Sequence, residues 1–314
     1  MNLKKIYEAQ ENLTGIIHKT PLLKSTQLSG RCNNNVYLKS EHLQKSGSFK
    51  IRGAYNTVKD AVEKGAKLVV AASSGNHGQA VALAANLLGI SSIIVVPTDA
   101  AQCKQAAIAS YGGTIEYCGL TSAERIPRAI EIAEEKSGKF IPPYDHELII
   151  AGQGTVGLEI IESLPEVDAV IVPIGGGGLI AGVLTAIKEL RPEIKVIGVE
   201  PELANDTYLS LKANKRIKVD ATKTIADGLR TTEPGTITFP ILQEHLDEIV
   251  LVSEEEIKEA FNFVLERMKQ LIEPSSALTI AALMNHKINI ENKNVVCLIS
   301  GGNIDLSRIN KLIT

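Results

Sequence analysis

The sequence predicts an α/β protein with open, parallel sheets carrying helices on both faces. Three observations point there. Strand-length apolar runs alternate with segments of helical period along most of the chain. Three of those runs feed into small-residue loops, AASSGNHGQ (71–79), VPIGGGGLIAG (172–182) and LISGGN (298–303). The chain has 314 residues, 44% hydrophobic and 22% charged, which suits a packed core in two domains or one elaborated domain.

The elements follow in order. Leu68–Ser73 reads as a buried strand, followed by a glycine turn and an alanine-rich helix ending near Gly89. Ser92–Pro97 is the next strand, and a helix from about Ala100 to Tyr111 is stopped by Gly112 and Gly113. Thr114–Cys118, a helix over Ser122–Ser137 and an extended Lys139–Tyr144 complete a compact unit. A second series runs Asp168–Ile174 (strand), Leu179–Leu190 (helix) and Lys195–Glu200 (strand). Ser253 and Glu256 have the spacing of a capping box ahead of a helix over Ile257–Gln270, and Asn294–Ser300 is one more buried strand. No linker or repeat marks a boundary, so the division must fall inside this pattern. The expected split is a small domain over 68–145 inserted in a large one made of 1–67 and 146–314.

Composition excludes several function classes. A net charge of −3 offers no basic surface for nucleic acid or an anionic membrane. The opening MNLKKIYEAQENL lacks an apolar signal region, and Gly, Pro or charge interrupts every hydrophobic stretch before eighteen residues. Cys32, Cys103, Cys118 and Cys297 have no metal-ligand spacing and read as reduced thiols. A cytoplasmic enzyme is the expectation.

Ligands of open α/β sheets sit beyond the carboxyl ends of the strands, so three glycine loops there suggest one cleft lined by backbone amides. Gly175–Gly178 is the sharpest of them. Four residues without Cβ leave N–H donors bare at the start of a helix, whose positive dipole end favours a phosphate. A rival reading exists, because Gly176, Gly178 and Ala181 fit G-x-G-x-x-A and Glu200 ends the next strand 24 residues after Gly176. That pattern fits a dinucleotide and a nicotinamide oxidoreductase. The segment SGSFKIRGAYN (46–56) weighs against it. Lys50 sits where a Ser-Gly-Ser turn meets a helix, a junction that can hold an amine against an aldehyde.

The motifs SGSFKIRGA, SSGNHGQA, GGGGLIAG and SGGN, in this order, resemble the serine racemase and serine/threonine dehydratase family of fold-type II pyridoxal-phosphate enzymes. The likeness runs from about His18 to Asp305 and includes IPPYDH (141–146), AGQGT (151–155), TIADG (224–228) and IEPSSA (272–277). The implied fold is tryptophan synthase β-like, two open twisted sheets flanked by helices.

The resemblance implies roles for individual residues. Lys50 would be the Schiff-base lysine and the base on one face of Cα, with Phe49 beside the cofactor ring. Gly175, Gly176, Gly177 and Gly178 would bind the phosphate, Asn76 would donate to the 3′-oxygen, and Ser300 would face the pyridine nitrogen. The amides of Ser73, Ser74, Gly75, Asn76 and His77 would grip the substrate carboxylate. Family members that racemise carry serine at Ser74, where many dedicated threonine dehydratases carry alanine. Ser74 would therefore be the second proton donor that racemisation needs. In EPELAND (200–206), Glu200 and Asp206 would give carboxylates and Ala204 its carbonyl to Mg²⁺, or to Ca²⁺ or Mn²⁺. Glu273 would line the cofactor cleft. Lys45 and Ser46 match a region where animal racemases take ATP, and a homodimer is the usual assembly. The implied activity is serine racemisation with elimination to pyruvate and ammonia. Dehydration of threo-3-hydroxyaspartate or L-threonine is the alternative.

Overall fold

The computed structural model describes every residue except Ser74, Asp99, Ala101, Ala221, Thr222 and Thr314, together with the side chains of Cys103 and Ser122. Among the described residues ten strands form two sheets. In chain order they are β1 (Leu22–Lys24), β2 (Asn35–Ser40), β3 (Leu68–Ala72), β4 (Ser91–Val96), β5 (Thr114–Tyr117), β6 (Lys139–Phe140), β7 (Ala169–Pro173), β8 (Lys195–Pro201), β9 (Glu248–Val252) and β10 (Asn294–Ile299). The larger sheet runs β1-β2-β10-β7-β8-β9 and is parallel except for the β1–β2 edge. The smaller runs β5-β4-β3-β6 and is wholly parallel.

Parallel sheets are covered on both faces, so their central strands are apolar throughout. In β7 the alternation is visible residue by residue. Ala169 and Ile171 enter one core with the Pro274–Met284 helix, while Val170 and Val172 enter the other with the Gly178–Leu190 helix. Each such valine or isoleucine contributes roughly 1.5–3 kcal/mol on burial. The small sheet has its own two layers. On one side lie Ala80, Val81 and Ala84 together with Ile51, Ala54 and Val58 of the Lys50–Glu63 helix; on the other lie Ala129 and Ile132.

The sequence pattern finds β3, β4, β5, β7, β8 and β10 within one or two residues, and the Ser253/Glu256 capping box is present. It misses β1, β2 and β9. The helix expected over Ile257–Gln270 runs Glu254–Phe263 and passes into a π turn at Val264–Met268. AGQGT lies inside a buried helix, Glu147–Ser163, that the pattern does not announce. Its glycines serve close packing. A Cβ on Gly152 would lie 2.6 Å from the Gly53 Cα, and one on Gly53 2.7 Å from the Ile149 carbonyl. No helix among the described residues is long and apolar enough to cross a membrane.

Candidate active site

The carboxyl ends of both sheets meet in one cleft, and hydrogen bonds name the meeting points. The turn before Lys50 is stitched to the loop after β10. Phe49 N donates to Ser300 O at 3.0 Å, Gly302 N donates to Gly47 O at 2.9 Å, and Ser48 bridges Gly301. Asn303 Nδ2 donates to Ser46 O (2.7 Å) and to Asn76 Oδ1 (2.8 Å), joining that loop to the start of the Asn76–Leu87 helix. Asn76 Nδ2 in turn donates to Glu273 Oε1 at 2.8 Å, which leaves one amide hydrogen of Asn76 for a ligand.

Lys50 opens the Lys50–Glu63 helix, and its Nζ donates to the Pro143 carbonyl at 2.8 Å, 5.2 Å from the Phe49 ring centroid. Burial lowers its pKa to about 8, with the Glu273 carboxylate acting in the opposite direction. Burial, and then the charge of Asp227, raises Glu273 to about 8. Both groups therefore titrate just above neutrality, far from their ordinary ranges. His77 is buried, and the loss of solvent together with the Lys50 charge takes it down to about 3. The neutral ring lies with Nε2 2.9 Å from the Ile141 carbonyl, which can only accept, so Nε2 carries the proton.

Gly175–Gly178 follows β7 directly. Gly177 has φ +89° and caps the Gly178–Leu190 helix with no side chain in attendance. The first intrahelical bond is Ala181 N to Gly177 O, so the amides of Gly178, Leu179 and Ile180 have no partner within the helix. A Cβ at Gly176 would overlap the Tyr144 ring, and one at Gly177 would lie 2.7 Å from Thr238 Oγ1. Thr238 Oγ1 donates to Gly176 O at 2.8 Å, and the Asp145 carboxylate accepts from the amides of Thr236 and Ile237 at 2.8 Å each. The segment Tyr144–Asp145 therefore walls the glycine run.

At the end of β10, Ser300 is buried with its Oγ 3.0 Å from Ser276 Oγ, and Ser276 Oγ also lies 2.7 Å from the Gly301 carbonyl. On the rim, Lys104 and Arg308 both donate to Asp227 Oδ2, at 2.8 and 3.1 Å, tying the Gln102–Ser110 helix to the large sheet's loops.

Comparison with known proteins supplies the chemistry. The family model described as "Pyridoxal-phosphate dependent enzyme" matches residues 13–301. The chain belongs to that family. It is similar to the L-threonine ammonia-lyase of Thermotoga maritima, 44% identical over 100% of this chain and 78% of the relative. It is equally similar to the serine racemase of Dictyostelium discoideum, 44% identical over 100% of this chain and 98% of the relative. The solved structure of maize serine racemase matches with a TM-score of 0.95 and 38% identity, covering 99% of this chain and 96% of that one. The family match decides against a dinucleotide on Gly176, Gly178 and Ala181.

The residues present fit pyridoxal phosphate. The bare, helix-capping amides at Gly175–Gly178 could take its phosphate, and the desolvated Lys50 amine could take its aldehyde. Ser74 lies outside the described residues. Ser73 departs from expectation, because its amide donates to Val95 O at 3.1 Å while its hydroxyl accepts from Gly75 N at 3.2 Å. Pairing of β3 with β4 takes that N–H into the sheet. The open amides of this loop are those at the start of the Asn76–Leu87 helix, which has no side-chain cap.

Glu200 lies at the end of β8, Ala204 in the loop that follows and Asp206 at the start of the next helix. Glu200 is buried and accepts from Thr207 N (3.1 Å) and Tyr208 N (2.8 Å), capping the Asp206–Ala213 helix. Burial and the neighbouring Asp206 push it well above the carboxylate range, and burial raises Asp206 to about 6. Asp206 Oδ2 is buried without a hydrogen-bond partner. Among the described residues no cluster of three or more His, Cys, Asp or Glu side chains is arranged for a metal.

Sequence reasoning passed over Pro143 as acceptor for Lys50, Tyr144 as the wall of the glycine run and Ser276 as partner of Ser300. The motifs IPPYDH and IEPSSA contain all three, but a backbone carbonyl and a packed ring leave no chemical signature in sequence.

Proposed function

We propose that this enzyme interconverts the enantiomers of serine and also eliminates water from serine, giving pyruvate and ammonia. The observation that carries this reading is full-length identity of 44% to a serine racemase together with a desolvated Lys50 amine in the shared cleft. Bound pyridoxal phosphate supplies an aldehyde for an amine and a ring that accepts electrons released at Cα. The chain does the rest. The Lys50 amine removes or returns the Cα proton on one face, and the Ser74 hydroxyl serves the other. Amides at Asn76 and His77 hold the substrate carboxylate against a helix N-terminus. Ser300 offers the ring nitrogen a hydroxyl backed by Ser276, which cannot stabilise a positive ring as a carboxylate would. Loss of the β-hydroxyl or quick reprotonation is then favoured over transamination.

Dehydration of L-threonine is the second reading, supported by the equal identity to the threonine ammonia-lyase, and threo-3-hydroxyaspartate is a third substrate of the same kind. Ser74→Ala separates the two chemistries. It should lower racemisation of L-serine by roughly 10²-fold or more while elimination from the L-enantiomer persists. Equal racemisation in variant and parent, followed by chiral chromatography, would end the two-base proposal.

The reading includes a divalent cation, Mg²⁺ or Ca²⁺ or Mn²⁺, on Glu200, Asp206 and the Ala204 carbonyl. Two buried acids repelling each other and the unpartnered Asp206 Oδ2 support it. Mg²⁺ should raise the melting temperature and EDTA should lower it, with affinity growing as rising pH strips the protons that burial holds on Asp206 and Glu200. A melting curve indifferent to both would remove the metal. The proposal extends to a cytoplasmic homodimer and a nucleotide effector near Lys45 and Ser46, where a cavity of about 340 Å³ is lined by His42, Gly47, Lys269 and Asn303.

A further inference from the structure

Beneath the Lys50 helix lies a buried cluster of four charges that the chemistry above does not use. Lys39, Glu41 and Arg52 are fully buried and Glu159 is 8% exposed. Arg52 spends its whole guanidinium there. Nε and Nη2 reach Glu41 Oε2 and Oε1 at 2.8 Å each. Nη1 reaches Glu159 Oε1 at 2.6 Å and Thr155 Oγ1 at 3.0 Å, and Nη2 reaches Glu159 Oε2 at 2.9 Å. That accounts for all five donors of the side chain, in two forks. Lys39 Nζ completes the set on Glu159 Oε2 (2.5 Å) and Thr20 O (2.8 Å), so two cations face two anions.

Three features of the helix bear on this clamp. Its N-terminus has no side-chain cap, since Phe49 stands at the capping position. Its contact with the Glu147–Ser163 helix sets Gly53 and Gly152 backbone against backbone, flanked by Asn56 Nδ2 donating to Leu148 O at 2.8 Å and by Ile51 and Ile149 in a shared core. A glycine contact lets two helices approach closely, which brings the Arg52 guanidinium within reach of Thr155 and Glu159 on the facing helix. Finally, Lys50 and Arg52 are two positions apart, about 200° around the axis, so they point to opposite sides. Lys50 is drawn toward Pro143 O and Arg52 into the core.

We propose that Arg52 is a positioning residue: clamped by Glu41 and Glu159, it fixes the rotation of the helix and so aims the Lys50 amine into the cleft. Buried ion pairs add little net stability compared with apolar residues of the same size, so orientation is the property this cluster supplies. Lysine could not replace it, because one ammonium cannot fill two forks. The proposal rests on Lys50 being the amine that takes the cofactor, and the test keeps the two apart.

The test uses cofactor-stripped protein and added pyridoxal phosphate, with capture read as absorbance near roughly 410 nm. Capture is followed across pH beside thermal melting. The double variant Glu41→Gln with Arg52→Met removes one anion and one cation and leaves Lys39 paired with Glu159. Arg52→Lys keeps every charge and serves as a second folded variant. The groups facing Lys50 are Glu273 and His77, and neither is altered. In the parent the capture midpoint should lie near about 8. In both variants it should move up toward about 10.4, the value of a solvated lysine, and the capture rate should fall by roughly 10²-fold in the double variant. A folded variant with the parent's midpoint and rate overturns the proposal, even if it melts earlier, because the cluster then serves stability alone. Lys50→Ala tests the underlying assignment separately: if it still captures the cofactor, Lys50 is not the amine, whatever the Arg52 variants do.

Discussion

Lys50→Ala should abolish the absorbance near roughly 410 nm and lower turnover by roughly 10⁴-fold or more, since it removes both the cofactor's amine and one proton carrier. Other nearby groups are committed elsewhere. Lys104 is held by Asp227, and His77 is a buried neutral ring bonded to Ile141 O. The loss should not come from unfolding, and the sign of the titration supplies a check. The folded Lys50 has a pKa near about 8 against about 10.4 in the unfolded chain. Between those values the unfolded chain keeps a proton that the folded protein has released, so stability of the cofactor-free parent rises with pH across that window. Lys50→Ala removes this rise and spares the fold the burial of a charged amine at neutral pH. Denaturant unfolding from pH 7 to 10 should show the parent gaining stability on the variant. A variant that binds cofactor covalently with parent-like absorbance would refute the assignment of Lys50.

Much of this site was legible because it sits where strands end. Lys50, Asn76, Gly175–Gly178 and Ser300 each lie just past an apolar run or a helix start, and composition alone marks such places. What stayed hidden has physical reasons. β2 contains Lys39, whose charge argues against a buried strand until Glu159, 120 residues away, supplies its partner. The Glu147–Ser163 helix goes unannounced because Gly152, Gly154 and Gly157 break its helical pattern, yet they are small where helices touch. Sequence alone leaves the Ser73 amide open, but the register of β3 with β4 uses it on Val95. In each case the missing information is a long-range contact, which local periodicity does not contain.

The buried cluster beneath Lys50 carries the other large effect, this time on stability. Glu41→Ala should cost about 3–5 kcal/mol, because it leaves one fork of the fully buried Arg52 and the buried Thr20 hydroxyl without their acceptor. Against a total near 5–15 kcal/mol, that is a large share of the folding free energy. Removing an exposed pair such as Lys4–Glu8, 3.8 Å apart with side chains 84% and 58% exposed, should cost no more than a few tenths. The two differ in pH dependence as well. Burial would push the Glu41 carboxyl up, but the Arg52 guanidinium, its hydrogen bonds and the Lys39 charge outweigh burial and hold the pKa below the usual carboxylate range. A carboxylate depressed in the folded state adds stability above its unfolded pKa and loses it as pH falls through the folded one. The gap between parent and Glu41→Ala in urea unfolding should therefore stay constant from pH 8 to about 5 and close only in acid below about 4.3. Glu8→Ala should track the parent throughout. If Glu41→Ala unfolds at the parent's urea midpoint at pH 7, the four charges do not form the closed set that these hydrogen bonds describe.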